Sequence, residues 1–274
     1  MALTLRTNTI ALAAARALRV TQSALTKVVG RVSTGLRVGS AADDPAGSAV
    51  ATNLSVKVRS SRQAMRSAND GLSLLATTEG AMAEFGHLLK RLRELAVQGG
   101  SETLGTTERT YLSNEFDKLD DELERIAQAT EFNGIKLTNG TATSLTVHVG
   151  ITSGTESEIA VVLPDLAALV ALITTSDLSS STNAQVTIDT VDVAFNAMNR
   201  LRAGVGSKMN RLDSAIASQM AYSYALEASV SRIQDADYAR ETAEMTKLQV
   251  RQEAGIAALV QASSLSRAVI DLLR

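Results

Sequence analysis

Residues 54–98 read LSVKVRSSRQAMRSANDGLSLLATTEGAMAEFGHLLKRLRELAVQ, and their apolar spacing decides the fold class. Leu54, Val58, Met65, Ala68, Leu72 and Leu75 fall three or four residues apart, or at sums of those steps. Met82, Phe85, Leu89, Leu92 and Ala96 continue the row. This spacing puts them on one helix face, and an unbroken helix would be on the order of 75 Å long at ~1.5 Å per residue. Gly71, Gly80 and Gly86 weaken the case for an unbroken helix and leave room for a kink or break, and Gly99-Gly100 ends the helix.

Upstream, Ser40-Ala-Ala-Asp-Asp-Pro45 reads as a helix start, with an Asp beside Pro45 as N-cap and the proline in the first helical position. From Leu3 to Val32 a second helical pattern runs. Ala11, Leu18, Leu25 and Val32 recur every seven residues, with Ala14, Thr21 and Val28 three further on. Such a narrow seam packs against another helix. Gly30, Gly35 and Gly39 loosen the chain between the two patterns.

Downstream, Leu112, Phe116, Leu119, Leu123 and Ile126 mark another amphipathic helix, whose pattern stops at Asn133-Gly134. The stretch 138–192 is rich in Thr and Ser. Alternation in 145–149 and 159–163 around Gly154 predicts a hairpin, 186–191 a weaker strand, and 176–182 an exposed loop. Helical spacing resumes at Val193 through Met198, Leu201, Val205, Met209, Leu212, Ile216, Met220, Leu226, Val230 and Ile233. It runs nearly to the end through Met245, Leu248, Ile256, Leu259, Val260, Val269, Leu272 and Leu273. The expected fold is mainly α: a long antiparallel helical bundle or coiled coil with a small central β-hairpin insert.

Composition narrows the function. The 274 residues include 3% aromatics, no Trp and only two prolines, which suits long helices packed along seams rather than a compact enzyme core. Absence of Cys excludes disulfides, thiolate catalysis and Cys-based metal sites. A formal net charge of -2 argues against nucleic acid as a partner. The longest apolar stretch, Val161 to Ile173, is interrupted by Pro164 and Asp165 and is too short to span a membrane. Arg16 and Arg19 break the apolar run 10–15, so no cleavable signal is expected.

No catalytic motif or paired-ligand spacing occurs, and neither an enzyme nor a cofactor is expected. His87 lies in a helix pattern and His148 in a strand pattern, where structural or solvated roles are the reading. The carboxylates from Asp117 to Glu124 read as a solvated helix face. Met65, Met82, Met209 and Met220 read as core packing.

Five segments carry a resemblance. They are Arg31-Val-Ser-Thr-Gly-Leu-Arg-Val-Gly-Ser-Ala-Ala-Asp-Asp-Pro-Ala-Gly47, Arg93-Glu-Leu-Ala-Val-Gln98, Glu131-Phe-Asn-Gly-Ile-Lys-Leu137, Arg232-Ile-Gln-Asp-Ala-Asp-Tyr-Ala239 and Val269-Ile-Asp-Leu-Leu-Arg274. In this order they resemble the bacterial flagellins, in a short form without the large outer domains. The resemblance implies an inner coiled-coil domain from residues 1–42 and 234–274, and an outer core domain over 43–233 with the insert near 138–192. It implies a structural subunit that polymerises with itself, or with other flagellins, into a hollow extracellular filament for swimming. The polymerisation seam would include Leu18, Leu25, Val32, Ile256, Leu259, Val260, Val269, Leu272 and Leu273. Gly35, Gly39, Asp44 and Pro45 would form a flexible spoke between domains.

The implied partners are a flagellar export chaperone, the type III flagellar export apparatus, and the filament cap and hook-associated proteins. Many flagellins also carry a patch recognised by a vertebrate Toll-like receptor, matched here by Arg91, Leu95, Gln98 and Glu115. The rival reading of that patch is subunit packing. Gly30, Arg251 and Glu253 depart from the usual pattern, standing where Glu, an aliphatic residue and Gln are common. A hook–filament junction protein and a helical binding or signalling module are the alternative functions.

Overall fold

The computed structural model describes the backbone of residues 7–272 and the side chains of residues 7–264. The expected seam members Val269, Leu272 and Leu273, and the helix start at Leu3, therefore lie outside the described side chains. Six α-helices occur among the described residues: α1 Thr9–Thr34, α2 Pro45–Gly99, α3 Thr106–Ala129, α4 Ala167–Ile173, α5 Ser181–Gln234 and α6 Tyr238–Leu272. Four strands pair as two antiparallel hairpins: β1 Glu131–Phe132 with β2 Ile135–Lys136, and β3 Ser144–His148 with β4 Glu158–Val162. The chain divides into two compact units, one joining residues up to Val58 with those from Ala225, the other Arg59–Tyr224.

In the unit Arg59–Tyr224, α2 and α5 run antiparallel in one continuous register. Ser61 Oγ donates to Gln219 Oε1 (2.9 Å), Arg202 Nε to Glu79 (2.9 Å) and Arg93 Nε to Asp192 (2.6 Å). Between these polar rungs, glycines of α2 let the helices close up. A Cβ on Gly71 would stand 3.0 Å from Val147 of β3 and 3.4 Å from Leu212 of α5, and one on Gly86 would stand 2.9 Å from Met198. The helix runs without a break through Gly71, Gly80 and Gly86, and two of the three glycines are contact points.

The interior row of α2 holds Ala68, Leu75, Met82, Phe85, Leu89, Leu92 and Leu95, all essentially solvent-free. Leu112, Phe116, Leu123 and Ile126 of α3 complete the core, with Leu119 half-buried. The hairpin β3–β4 lies where expected, in the register His148↔Glu158, with Ile159 and Val161 buried in the same core.

Two expectations fail between residues 176 and 192. The segment 186–191 is helix, the second and third turns of α5, and not a strand. Ala184, Thr187, Val191, Ala194 and Met198 are buried at steps of three and four, so packing against α2 overrides the β preference of Val and Thr. Nor is 176–182 an exposed loop throughout, because Leu178 is fully buried. Asp177 accepts from Ser179 N (2.7 Å) and Asn183 Nδ2 (2.9 Å), and Ser180 Oγ accepts from Asn183 N (3.1 Å) as the α5 N-cap.

The Asn-Gly pair at 133–134, where helix pattern stops, turns the β1–β2 hairpin. Asn133 has φ 49° and Gly134 φ 78°, the left-handed pair that a two-residue turn requires. The helical run after Val193 is broken once, at Asp235–Asp237, where Asp237 Oδ1 accepts from the backbone N–H of Ala239 (3.0 Å) and starts α6.

Candidate functional site

The unit formed by the two chain ends is built on α1 and α6. Asn8 Nδ2 donates to the Ala262 carbonyl (2.8 Å), Gln252 Nε2 to Gln22 Oε1 (2.6 Å), and Arg31 sits 3.7 Å from Glu241. Numbers rise on one helix as they fall on the other, so the pair is antiparallel. The positions of α1 turned inward are Ala11, Ala14, Leu18, Thr21, Leu25, Val28 and Val32, the heptad row read from the sequence. On α6 the inward row is Met245, Leu248, Gln252, Gly255, Leu259 and Ala262. Gly255 brings the helices close enough that a Cβ there would meet Leu18 at 3.4 Å.

This seam is thin. Among the described residues only Val28 of α1 and Leu248 of α6 are buried, while Val250 (60% exposed) and Val260 (61%) stand in solvent with Ile10, Leu12, Val20 and Ile256. Of the expected polymerisation residues, Leu18, Leu25, Val32 and Leu259 are half-buried on the seam inside the chain, and Ile256 and Val260 face outward. No charged residue falls between Glu253 and Arg267. Such a surface resembles half an interface more than a finished one.

The expected spoke is pinned. Gly35 closes α1 at φ 71°, its N–H donating to the Arg31 carbonyl (2.8 Å). Leu36 bridges Asp235, Arg37 N donates to the Gln234 carbonyl (2.6 Å), and Ala236 N donates to the Gly35 carbonyl (2.9 Å). Arg37 Nη2 reaches the carbonyls of Ile233 (2.7 Å) and Arg232 (3.2 Å), capping the end of α5. Asp44 Oδ1 accepts from Gly47 N (2.9 Å), the N-cap expected before Pro45. The Ser40 hydroxyl holds the neighbouring Asp43 carboxyl below its ordinary value. The motif 31–47 and the motif 232–239 thus meet in space, beside a cavity of about 460 Å³ lined by Arg31, Arg37, Arg240, Asp235 and Glu241.

In the other unit, Arg91 Nη2 donates to Glu115 Oε1 (2.6 Å) and Nη1 to Glu94 (3.0 Å), and Glu115 foremost raises the guanidinium pKa. Gln98, two turns along α2 from Arg91, is exposed, but Leu95 is 1% exposed and belongs to the core. The structure therefore removes Leu95 from the surface patch, because its helical phase follows Leu92 and Ala96. Met220, expected in the core, is 67% exposed; Gln219 and Ser223 take the inward positions there. His87 and His148 are exposed.

Two residues with unusual environments had no signal in the sequence. Arg109, 9% exposed, donates to the carbonyls of Gly99 (2.5 Å) and Ser101 (2.6 Å) and so caps α2 from α3. Asp120, in the acidic face of α3, has a buried Oδ1 with no hydrogen-bond partner, and burial raises its pKa. Periodicity marks neither, because both depend on what a neighbouring element brings near. Among the described residues no group of three His, Cys, Asp or Glu is placed to hold a metal, and no helix is long and apolar enough to cross a membrane.

Residues 5–143 match the bacterial flagellin N-terminal helical region and residues 188–273 the bacterial flagellin C-terminal helical region. The chain is 38% identical to a flagellin of Halalkalibacterium halodurans, covering 90% of this chain and 91% of that protein. It is 33% identical to a flagellin of Bacillus subtilis, covering 97% and 98%. Among solved structures it is similar to Bacillus cereus flagellin (29% identity, TM-score 0.50), over 56% of this chain and 88% of that one. It shares a fold with a putative flagellar hook-associated protein from Vibrio parahaemolyticus (15% identity, TM-score 0.60), over 70% of this chain and all of that one.

Proposed function

Because this chain belongs to the bacterial flagellin family, a family of structural proteins, we propose that it is the structural subunit of a flagellar filament, polymerising with copies of itself for swimming motility. The observation that carries the reading is the thin α1–α6 seam. Two helices with alanine, threonine, glutamine and glycine at inward positions, and Val250, Ile256 and Val260 left outside, gain little on pairing. Ordering their backbone costs roughly 1–2 kcal/mol per residue. Neighbouring copies supply the missing apolar area, at about 25 cal/mol per Å² buried. The terminal helices, residues 1–42 and 234–274, are the inner domain of the polymer, and residues 43–233 the outer domain.

The filament is hollow and extracellular, and the chain reaches it through a type III flagellar export apparatus. A chaperone covers the exposed apolar face of α6 until export, and cap and hook-associated proteins bound the filament at its ends. The hook–filament junction alternative is less well supported, since the likeness to a hook-associated protein extends to fold alone. A vertebrate Toll-like receptor is a further partner, through exposed Arg91, Gln98 and Glu115. Loss of a reporter-cell response on Arg91→Ala supports that partner, and a response equal to the unaltered chain's removes it.

Seeded assembly of the purified full chain, followed by light scattering and negative-stain microscopy, tests the main reading. Filaments are expected from the full chain, and none from a chain lacking residues 234–274. Filaments of ordinary appearance from the truncated chain would overturn the role given to the terminal helices.

A further inference from the structure

Arg251 and Glu253 are the only charged residues of α6 between Lys247 and Arg267. Both are exposed, and among the described residues neither makes a salt bridge or side-chain hydrogen bond within the chain. They sit in an otherwise uncharged surface that includes Val250, Ala254, Ile256, Ala257 and Val260, all exposed. Their placement around the helix is specific. The face of α6 turned to α1 is marked by Leu248, Gln252 and Gly255. At ~100° per residue, Arg251 lies about 70° to one side of the centre of that face and Glu253 about 130° to the other. α6 therefore carries a cation on one flank and an anion on the opposite flank, at nearly the same height along its axis.

Identical copies arranged side by side about a common axis meet heterologously, one flank of each against the other flank of its neighbour. We infer that Arg251 of one copy pairs with Glu253 of the adjacent copy, a lateral ion pair set within the apolar face of α6; this rests on the filament reading above. The apolar surroundings make the pair consequential. On assembly they displace water from both groups, and a charge left there without its partner opposes association. The pair would fix which flank meets which, and at what height, where apolar contact alone would permit sliding. It cannot form within one molecule, because residues two apart on a helix point in nearly opposite directions.

Charge exchange in the full chain tests this. Arg251→Glu and Glu253→Arg each place like charges across the proposed contact and are expected to raise the critical concentration for seeded assembly at least ~10-fold. The double exchange R251E/E253R restores opposite charges and is expected to return it to within about 3-fold of the unaltered chain. An equimolar mixture of the two single variants, one carrying two carboxylates and the other two cations, should also assemble where neither does alone. Circular dichroism of the four monomeric chains should coincide, separating assembly from folding. Single variants that assemble as well as the unaltered chain overturn the pairing, as does a double exchange as defective as the singles. If the unaltered chain itself forms no filament, the filament reading fails and this one with it.

Discussion

Arg109 reaches from the first turn of α3 to the end of α2, its Nη1 2.5 Å from the carbonyl oxygen of Gly99. The last carbonyls of a helix have no intrahelical donors, and here a buried guanidinium fork takes one of them while Nη2 takes Ser101 (2.6 Å). The loop after α2 is thereby tied to the helix that follows. Arg109→Ala should destabilise the unit Arg59–Tyr224 by about 2–3 kcal/mol, since it strands buried acceptors. Arg109→Lys should recover only part of that, lacking the planar fork. Urea denaturation followed by circular dichroism measures both; a change below ~0.5 kcal/mol for the alanine variant contradicts the capping role.

Glycines in the helices should respond to substitution with opposite signs. Gly71 faces Val147 and Leu212, so Gly71→Val forces the β3–β4 hairpin away from α2 and should cost about 1–3 kcal/mol. Gly30 in α1 has nothing within 4 Å of where a Cβ would stand. Gly30→Ala should therefore stabilise α1 by roughly 0.5–1 kcal/mol through the entropy of the unfolded chain. Thermal denaturation of the two variants should shift in opposite directions.

Asp44→Ala removes the side-chain acceptor for Gly47 N and should loosen the start of α2 by about 0.5–2 kcal/mol, with Asp44→Asn close to neutral. Amide hydrogen exchange at residues 46–48 reads the change directly. Unaltered protection in the alanine variant would show that Pro45 alone starts the helix.

Asp120 gives a pH dependence of known sign. Burial raises its folded-state pKa above the ordinary 3.8, helped by nearby Asp121, Glu124 and Asp117. A raised carboxyl means that the folded chain binds this proton more tightly than the unfolded chain does. Its ionised form therefore weakens the fold above the raised value, and the weakening is relieved as pH falls from there toward 3.8. Asp120→Asn should be more stable than the unaltered chain at neutral pH, with the difference shrinking across that window. A constant difference down to pH 3.8 would dissociate the effect from ionisation.

Much of this was legible locally. The heptad row from Ala11 to Val32 is the inward row of α1, and the Asp-Pro start of α2 appears with its cap in place. The β3–β4 hairpin follows from alternation around Gly154. The failures share one cause. At 186–191 alternating β-branched residues satisfied a strand pattern, yet α2 lay beside them and favoured the helix. At Met220 the apolar row of α5 pointed inward on paper, but Ser61 on the opposing helix makes its partner Gln219. A hydrophobic periodicity has no way to register a polar rung.

The chain order of residues determined where helices run and where they begin, because spacing, caps and turn residues act within a few positions of themselves. It also carried the family motifs. Tertiary structure alone decided which glycine is a contact and which is open space, which arginine is a cap, and that the motif around Arg37 closes on the motif around Gln234. These depend on what an element distant in sequence places within a few ångströms, and burial, hydrogen bonding and pKa are set by that neighbour rather than by the residue itself.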